Sequence, residues 1–207
     1  MAGATTTGTD RAQRAELQKA ARREAILQAA RAVFARKGFH GTTIADIAEE
    51  AGIALGTFYL YFPSKNAIFA ALHERLFELI GRAAARGAAP GASLREDVDA
   101  RVSAVFETCR ENRELLRLVV LNTDPTSPEA REMARAARER ERPLADLYRR
   151  AMDAGFVRRA DPETLAKLVT GLVSIAVYQC FVLDDGAEAD RLKDGVVDFI
   201  TAALTPR

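Results

Sequence analysis

Apolar positions recur along this chain at spacings of three and four, the period of helices packed on one face. Ile26, Leu27, Ala30, Val33 and Phe34 form one such stripe. Gly38 follows it and supplies a residue that tolerates positive φ, a common helix stop. Thr43, with Asp46 three residues later, has the form of a capping box with Asp in place of Glu or Gln. It heads a short helix whose buried face is Ile44, Ile47, Ala48 and Ala51, and Gly52 ends it. A third helix is expected over Leu55–Tyr61, with Phe58 and Phe62 facing the core, Thr57, Tyr59 and Tyr61 facing elsewhere, and Pro63 closing it. Ser64 caps a fourth helix in which Ile68, Phe69, Leu72, Leu76, Leu79, Ile80 and Ala83 keep helical spacing to about Arg86. Gly87, Pro90 and Gly91 then break the pattern and mark a linker.

Beyond the linker, Ser93 and Glu96 form a second capping signature, with Val98, Val102, Val105, Phe106 and Cys109 inward on the helix that follows. Leu115–Leu121 reads as another helix, and Asn122–Pro128 as a loop with Ser127 as N-cap and Pro128 at the first helical position. Glu129–Ala154 is a long, charge-laced helix that Pro143 is expected to kink or split. Gly155 begins a turn, and Asp161-Pro162 starts a helix to about Leu183 that is apolar nearly all round, so it is expected to be buried on more than one side. The last helix spans Ala189–Leu204, with Leu192, Val196, Phe199 and Ile200 inward. No stretch alternates with period two, so the fold class is all-α.

Composition agrees: 48% of the 207 residues are hydrophobic, which supports a packed core, and Trp is absent. The net charge is only +1, but it is unevenly placed. Residues 11–37 carry eight Lys/Arg against Glu16 and Glu24, an excess that suits an anionic partner or a solvated helix face. Cys109 and Cys180 stand far apart with no CxxC, as expected of buried reduced thiols in a cytoplasmic protein; a redox-sensing pair is the minor alternative. Met1–Asp10 has no apolar h-region, so no signal peptide is expected. The apolar stretch Leu172–Leu183 is short of the roughly 20 residues a bilayer requires, so no membrane partner is expected.

A short bracing helix, a glycine turn and a second short helix make the helix-turn-helix plan, in which the second helix enters the major groove of DNA. The wider stretch, about residues 22–70, resembles the TetR family of bacterial regulators. The likeness is carried by Ile26-Leu27-x-Ala29-Ala30, Phe34-Ala35-x-Lys37-Gly38-Phe39, Thr42-Thr43-Ile44-x-x-Ile47-Ala48-x-x-Ala51-Gly52-Ile53 and Gly56-Thr57-Phe58-Tyr59-x-Tyr61-Phe62-Pro63-Ser64-Lys65. The resemblance implies a flexible basic arm over 1–21, a DNA-binding domain over 22–66, and a helical effector-binding and dimerisation domain over 67–207. It also implies a ligand-responsive regulator, a repressor released from palindromic double-stranded operator DNA by a small hydrophobic effector.

In that frame Thr43 is expected on a phosphate, Gly56 where backbone approaches DNA, Thr57 and Tyr59 in the groove, and Tyr61 and Lys65 on flanking phosphates. Thr42 caps, touches phosphate, or does both. Ala54 and Leu55 depart from the family, which often has polar residues there; Leu55 offers only an apolar contact, for instance to a thymine methyl. The basic segment Arg11–Arg23 is either a DNA-contacting arm or a helical extension.

Expected effector-lining residues are Phe106, Cys109, Leu116, Val120, Met133, Leu147, Tyr148, Val173, Val177 and Tyr178, each of which also suits ordinary core. Tyr148, Tyr178 and Gln179 are the expected polar anchors. A carboxylate or acyl thioester is the expected effector class, given the apolar content and the Arg-rich stretch 131–150. A homodimer is expected through Pro162–Leu183 and Ala189–Leu204. No cofactor, metal site or enzymatic activity is expected. GxSxG, P-loop and GxGxxG patterns are missing, and His73-Glu74 starts an HExxH that Phe77 breaks. A purely protein-binding helical scaffold is the remaining rival.

Overall fold

The computed structural model describes residues 6–123 and 128–206, with side chains described for 11–123, 135, 139 and 141–206. Among these residues it is built of helices without a strand: α1 Thr6–Gly41, α2 Ile44–Glu50, α3 Leu55–Tyr59, α4 Lys65–Ala84, α5 Leu94–Glu111, α6 Arg113–Asn122, α7 Pro128–Asp153, α8 Pro162–Tyr178, a π-helical turn Gln179–Leu183, and α9 Ala189–Leu204. The chain divides into two compact units, Met1–His73 and Glu74–Arg207.

In the first unit the stripe on α1 is the core. Ile26, Ala30, Val33 and Phe34 are buried together with Ile47 of α2, Phe58 of α3 and Ile68 of α4. Each large side chain fully removed from water contributes about 1.5–3 kcal/mol. Gly38 breaks α1 at φ 71°, a left-handed conformation that side chains with a Cβ resist. Phe39, carried past the break, packs against Phe34 and Phe69 with ring centroids 5.4 and 5.0 Å away. Gly52, at φ 63°, makes the turn between α2 and α3. The arm expected to be flexible is instead continuous with α1 as far as Thr6. Its Ala, Arg, Gln, Glu, Leu and Lys content favours helix, and α1's anchored stripe supplies the nucleus that an isolated segment lacks. Residues 1–5 lie outside the described residues.

The second unit buries Val98, Val102, Val105, Phe106 and Cys109 of α5, Leu115, Leu116 and Val119 of α6, and Val196, Val197, Ile200 and Leu204 of α9. Ser93 and Glu96 close the capping box that begins α5, and Asp161 accepts the Thr164 amide hydrogen bond that begins α8. The expected Ser127 cap lies outside the described residues. Two expectations are corrected. First, α7 runs unbroken through Pro143. Pro143 is exposed there, so the Glu139 carbonyl it leaves unbonded is on the side open to water. Second, Phe199 is 66% exposed, and Val197 takes an inward place on α9. The apolar helix itself spans Pro162–Leu183, as expected. Pro162–Leu183, mean hydropathy 1.7, is by length and composition long and apolar enough to cross a membrane, and 39% of its most apolar window is buried. A core helix of a soluble protein passes the same test, and Ala166, Val177, Cys180 and Phe181 are indeed buried within the unit.

Candidate nucleic-acid interface

The helix-turn-helix is tied together by its own polar side chains. Thr43 Oγ1 accepts from the Asp46 amide at 3.1 Å, while Asp46 Oδ2 accepts from the Thr43 amide and hydroxyl, both at 2.8 Å. Lys37 Nζ donates to Asp46 Oδ1 at 2.7 Å, joining α1 to the head of α2. The Lys37 hydrogen bond and then those from Thr43 hold the Asp46 carboxyl well below the usual carboxylate range. Arg36 and Glu50 make a second α1–α2 bridge at 2.5 Å. Thr43 is exposed at a helix N-terminus, where a phosphate would meet amide hydrogens and the positive dipole end, although its hydroxyl already serves the cap.

On α3 two faces differ sharply. Phe58 is fully buried, packs edge-on to Tyr59 and lies 6.3 Å from Phe62, over which the Arg23 guanidinium sits at 4.9 Å. The opposite face is open: Leu55 is 47%, Tyr59 51% and Leu60 79% exposed. Thr57 and Tyr61 are half-buried, and Gly56 is exposed with open space where a Cβ would stand. Ala54 makes no side-chain cap, so α3 is anchored chiefly by the buried Phe58. Leu60 was missed by sequence reasoning; its place beside Tyr59, off the Phe58–Phe62 side, was the available signal.

Two expected phosphate contacts turn inward. Thr42 is only 2% exposed, and its hydroxyl donates to the Gly38 carbonyl at 2.7 Å. Lys65 Nζ donates to the carbonyls of Phe39 and Thr42 at 2.8 and 2.9 Å and lies 4.6 Å from the Phe39 ring centroid. The Gly38 break leaves carbonyls at the end of α1 without helical partners, and Lys65 satisfies them from the start of α4. At most one of its three donors remains for a phosphate.

In the second unit, five of the expected lining residues, Phe106, Cys109, Leu116, Tyr148 and Val177, are buried. Val120, Leu147, Val173 and Tyr178 are half-buried, and the Met133 side chain lies outside the described residues. Phe106 meets Phe181 edge-on at 5.9 Å. Burial pushes the Cys109 thiol up to about 12 and raises the Tyr148 hydroxyl and the Cys180 thiol as well, so all three stay protonated at neutral pH. Gln179 is not an inward anchor: it is exposed and donates to Asp184 at 2.7 Å.

A polar cluster at the start of this unit was not foreseen. Arg101 donates to both Asp97 oxygens at 2.8 and 3.2 Å and to the Ala84 carbonyl, at the end of α4, at 2.9 Å. Asp97 also accepts from the Ala88 amide at 3.0 Å. A Cβ on Gly87 would collide with the Arg101 guanidinium and the Asp97 carboxylate. The four-residue spacing of Asp97 and Arg101 beside a glycine-containing breaker was its signal in the sequence.

Residues 26–72 match the family model described as bacterial regulatory proteins of the tetR family. YdgC, an HTH-type transcriptional regulator of Bacillus subtilis, is 26% identical over 194 residues, covering 89% of this chain and 93% of the relative. The helix-turn-helix region of the chain, residues 26–72, is of the tetR type. A putative transcriptional regulator from Saccharomonospora viridis, solved with choline, has TM-score 0.69 and 26% identity over 89% of this chain and 98% of its own. FadR of Bacillus subtilis, solved with stearoyl-CoA, has TM-score 0.72 at 20% identity over 87% and 98% of the two chains, a likeness of fold. These matches make the chain a DNA-binding transcriptional regulator, and its relatives are regulators rather than enzymes.

Proposed function

We propose that this regulator is a cytoplasmic homodimeric repressor that leaves a palindromic operator when a small hydrophobic effector enters its second unit. The observation that carries the DNA half is the exposed Leu55, Tyr59 and Leu60 surface on a helix rooted by the buried Phe58. In this reading Leu55, Thr57 and Tyr59 meet base edges, Gly56 admits the backbone, and Thr43 and Tyr61 hold phosphates. Lys65 acts mainly by fixing the approach of α4 to the end of α1, and Thr42 has no contact with DNA.

A homodimer through Pro162–Leu183 and Ala189–Leu204 is supported by apolar side chains that the isolated chain leaves uncovered. Leu168 and Ile175, seven apart on one face of α8, and Phe199 on α9 are all exposed. Matched readers in such a dimer address half-sites about 34–36 Å apart, one turn of DNA. Helix α4 begins in the DNA-binding unit at Lys65 and ends at Ala84, whose carbonyl Arg101 holds. An effector that favours a different course of α4 changes the reader separation, and the coupling is reciprocal.

Phe106, Cys109, Leu116, Val177 and the half-buried residues around them supply apolar walls, with Tyr148 and Tyr178 as polar anchors. A long-chain acyl thioester fits that chemistry. Its precedent within the fold is the stearoyl-CoA of FadR, while the choline of the Saccharomonospora protein sets a small cation as the rival class. Operator release measured by fluorescence anisotropy, titrated with acyl thioesters of increasing chain length and with choline, tests the proposal. Release that sharpens with chain length supports it; release by choline alone, or a monomer in sedimentation at micromolar concentration, overturns it.

A further inference from the structure

We infer that the amino-terminal extension of α1 is a second DNA-contact element, a track for the phosphate backbone beside the reader. The inference rests on the DNA-binding reading above and adds a surface to it. All residues from Arg11 to Ala25 are exposed, so burial in the core does not explain this length of helix. At about 100° per residue, Arg11, Gln18 and Arg22 fall along one side, with Lys19 at its edge, while Glu16 and Glu24 fall away from it. That basic side adjoins the reader: Gln18, Lys19 and Arg22 line a groove with Tyr61, floored by alanines.

The same helix supplies its own control. Near its other end, Arg36 and Lys37 are engaged with Glu50 and Asp46, and Arg23 lies over Phe62. Among the described residues, Arg11, Lys19 and Arg22 have no such acidic partner. Alanines at 15, 21 and 25 keep the groove floor low, which suits a sugar-phosphate strand rather than an inserted side chain. The occupant is therefore the duplex backbone flanking the bases that α3 addresses, with Tyr61 contacting both segments of the path.

The test uses the full-length protein and a duplex it selects from a randomised pool. The variant Arg11→Gln/Lys19→Gln/Arg22→Gln removes charge while keeping helix-forming residues. Each lost phosphate contact lowers the slope of log affinity against log salt by about 0.9, so the triple variant is expected to lose about 2.7. Its ranking of duplex sequences stays that of the wild type, and its hydroxyl-radical footprint shortens at the flanks. An unchanged slope and footprint in a variant of wild-type helicity overturns this inference and leaves the helix-turn-helix reading standing. A wild-type protein that selects no duplex overturns both.

Discussion

The two units use polar groups in opposite ways. In the DNA-binding unit they lie on closures within the unit: Thr42 on Gly38, Thr43 and Asp46 on each other, Lys65 on two carbonyls. The exposed face of α3 is consequently aromatic and aliphatic. In the second unit the interior is aliphatic and aromatic from wall to wall, with a few hydroxyls and thiols kept protonated by burial. A well-tied polar cluster sits at the start of this unit, where Arg101 and Asp97 grip the end of α4 and the linker. A reader benefits from a backbone that does not yield; a sensor needs walls that repack around a guest.

The largest effect that sharpens this contrast is expected for Phe58→Ala. Emptying the one buried ring that roots α3 should cost about 3–5 kcal/mol in urea unfolding and abolish operator binding. Next comes Lys65→Met, which leaves the Phe39 and Thr42 carbonyls short of a donor and should cost about 1–3 kcal/mol of stability. A Lys65 that served only phosphate would leave urea midpoints unmoved on substitution and shift DNA affinity alone. Tyr59→Ala should lose about 1–3 kcal/mol of specific binding, measured against a scrambled duplex, with an unchanged melting temperature. On the sensor side, Gly87→Ala displaces Arg101 and Asp97; a stability loss of only about 1 kcal/mol is expected, together with an altered effector midpoint for operator release.

The smallest effect concerns acid. The Asp46 carboxyl is held low in the folded chain, so its contribution is complete above the ordinary carboxylate value near 3.9 and fades as pH falls through the lower folded value. Asp46→Asn should lower the neutral plateau slightly and so flatten the acid limb of a stability-versus-pH curve, with stability at low pH nearly unchanged. A steep acid limb that persists in Asp46→Asn assigns the titration to another carboxylate.

Local signals made the first unit legible. Gly38, Thr43, Gly52 and Ser64 each act through neighbours within four residues, and each marks an end or beginning where the helices do change. Lys65 shows the limit: its carbonyl partners are 26 and 23 residues away, a pairing no local pattern records. Thr42 fails for the related reason that its acceptor exists only because α1 breaks at Gly38. Phe199 was expected inward because periodicity ranks faces by hydrophobicity, and an apolar side chain left exposed looks the same in that pattern as one in the core. Pro143 was expected to disrupt α7, but its cost is reduced where water can reach the freed carbonyl.

The rooting of α3 through a single ring has an evolutionary corollary. Phe58 answers to the fold, whereas the exposed Leu55, Tyr59 and Leu60 are, in the proposed reading, answerable mainly to the operator. Gene duplicates can therefore drift to new target sites by exchanging those three side chains, with little penalty in folding. A library randomised at the three positions and sorted on unrelated palindromes should return binders whose melting temperatures cluster at the parental value.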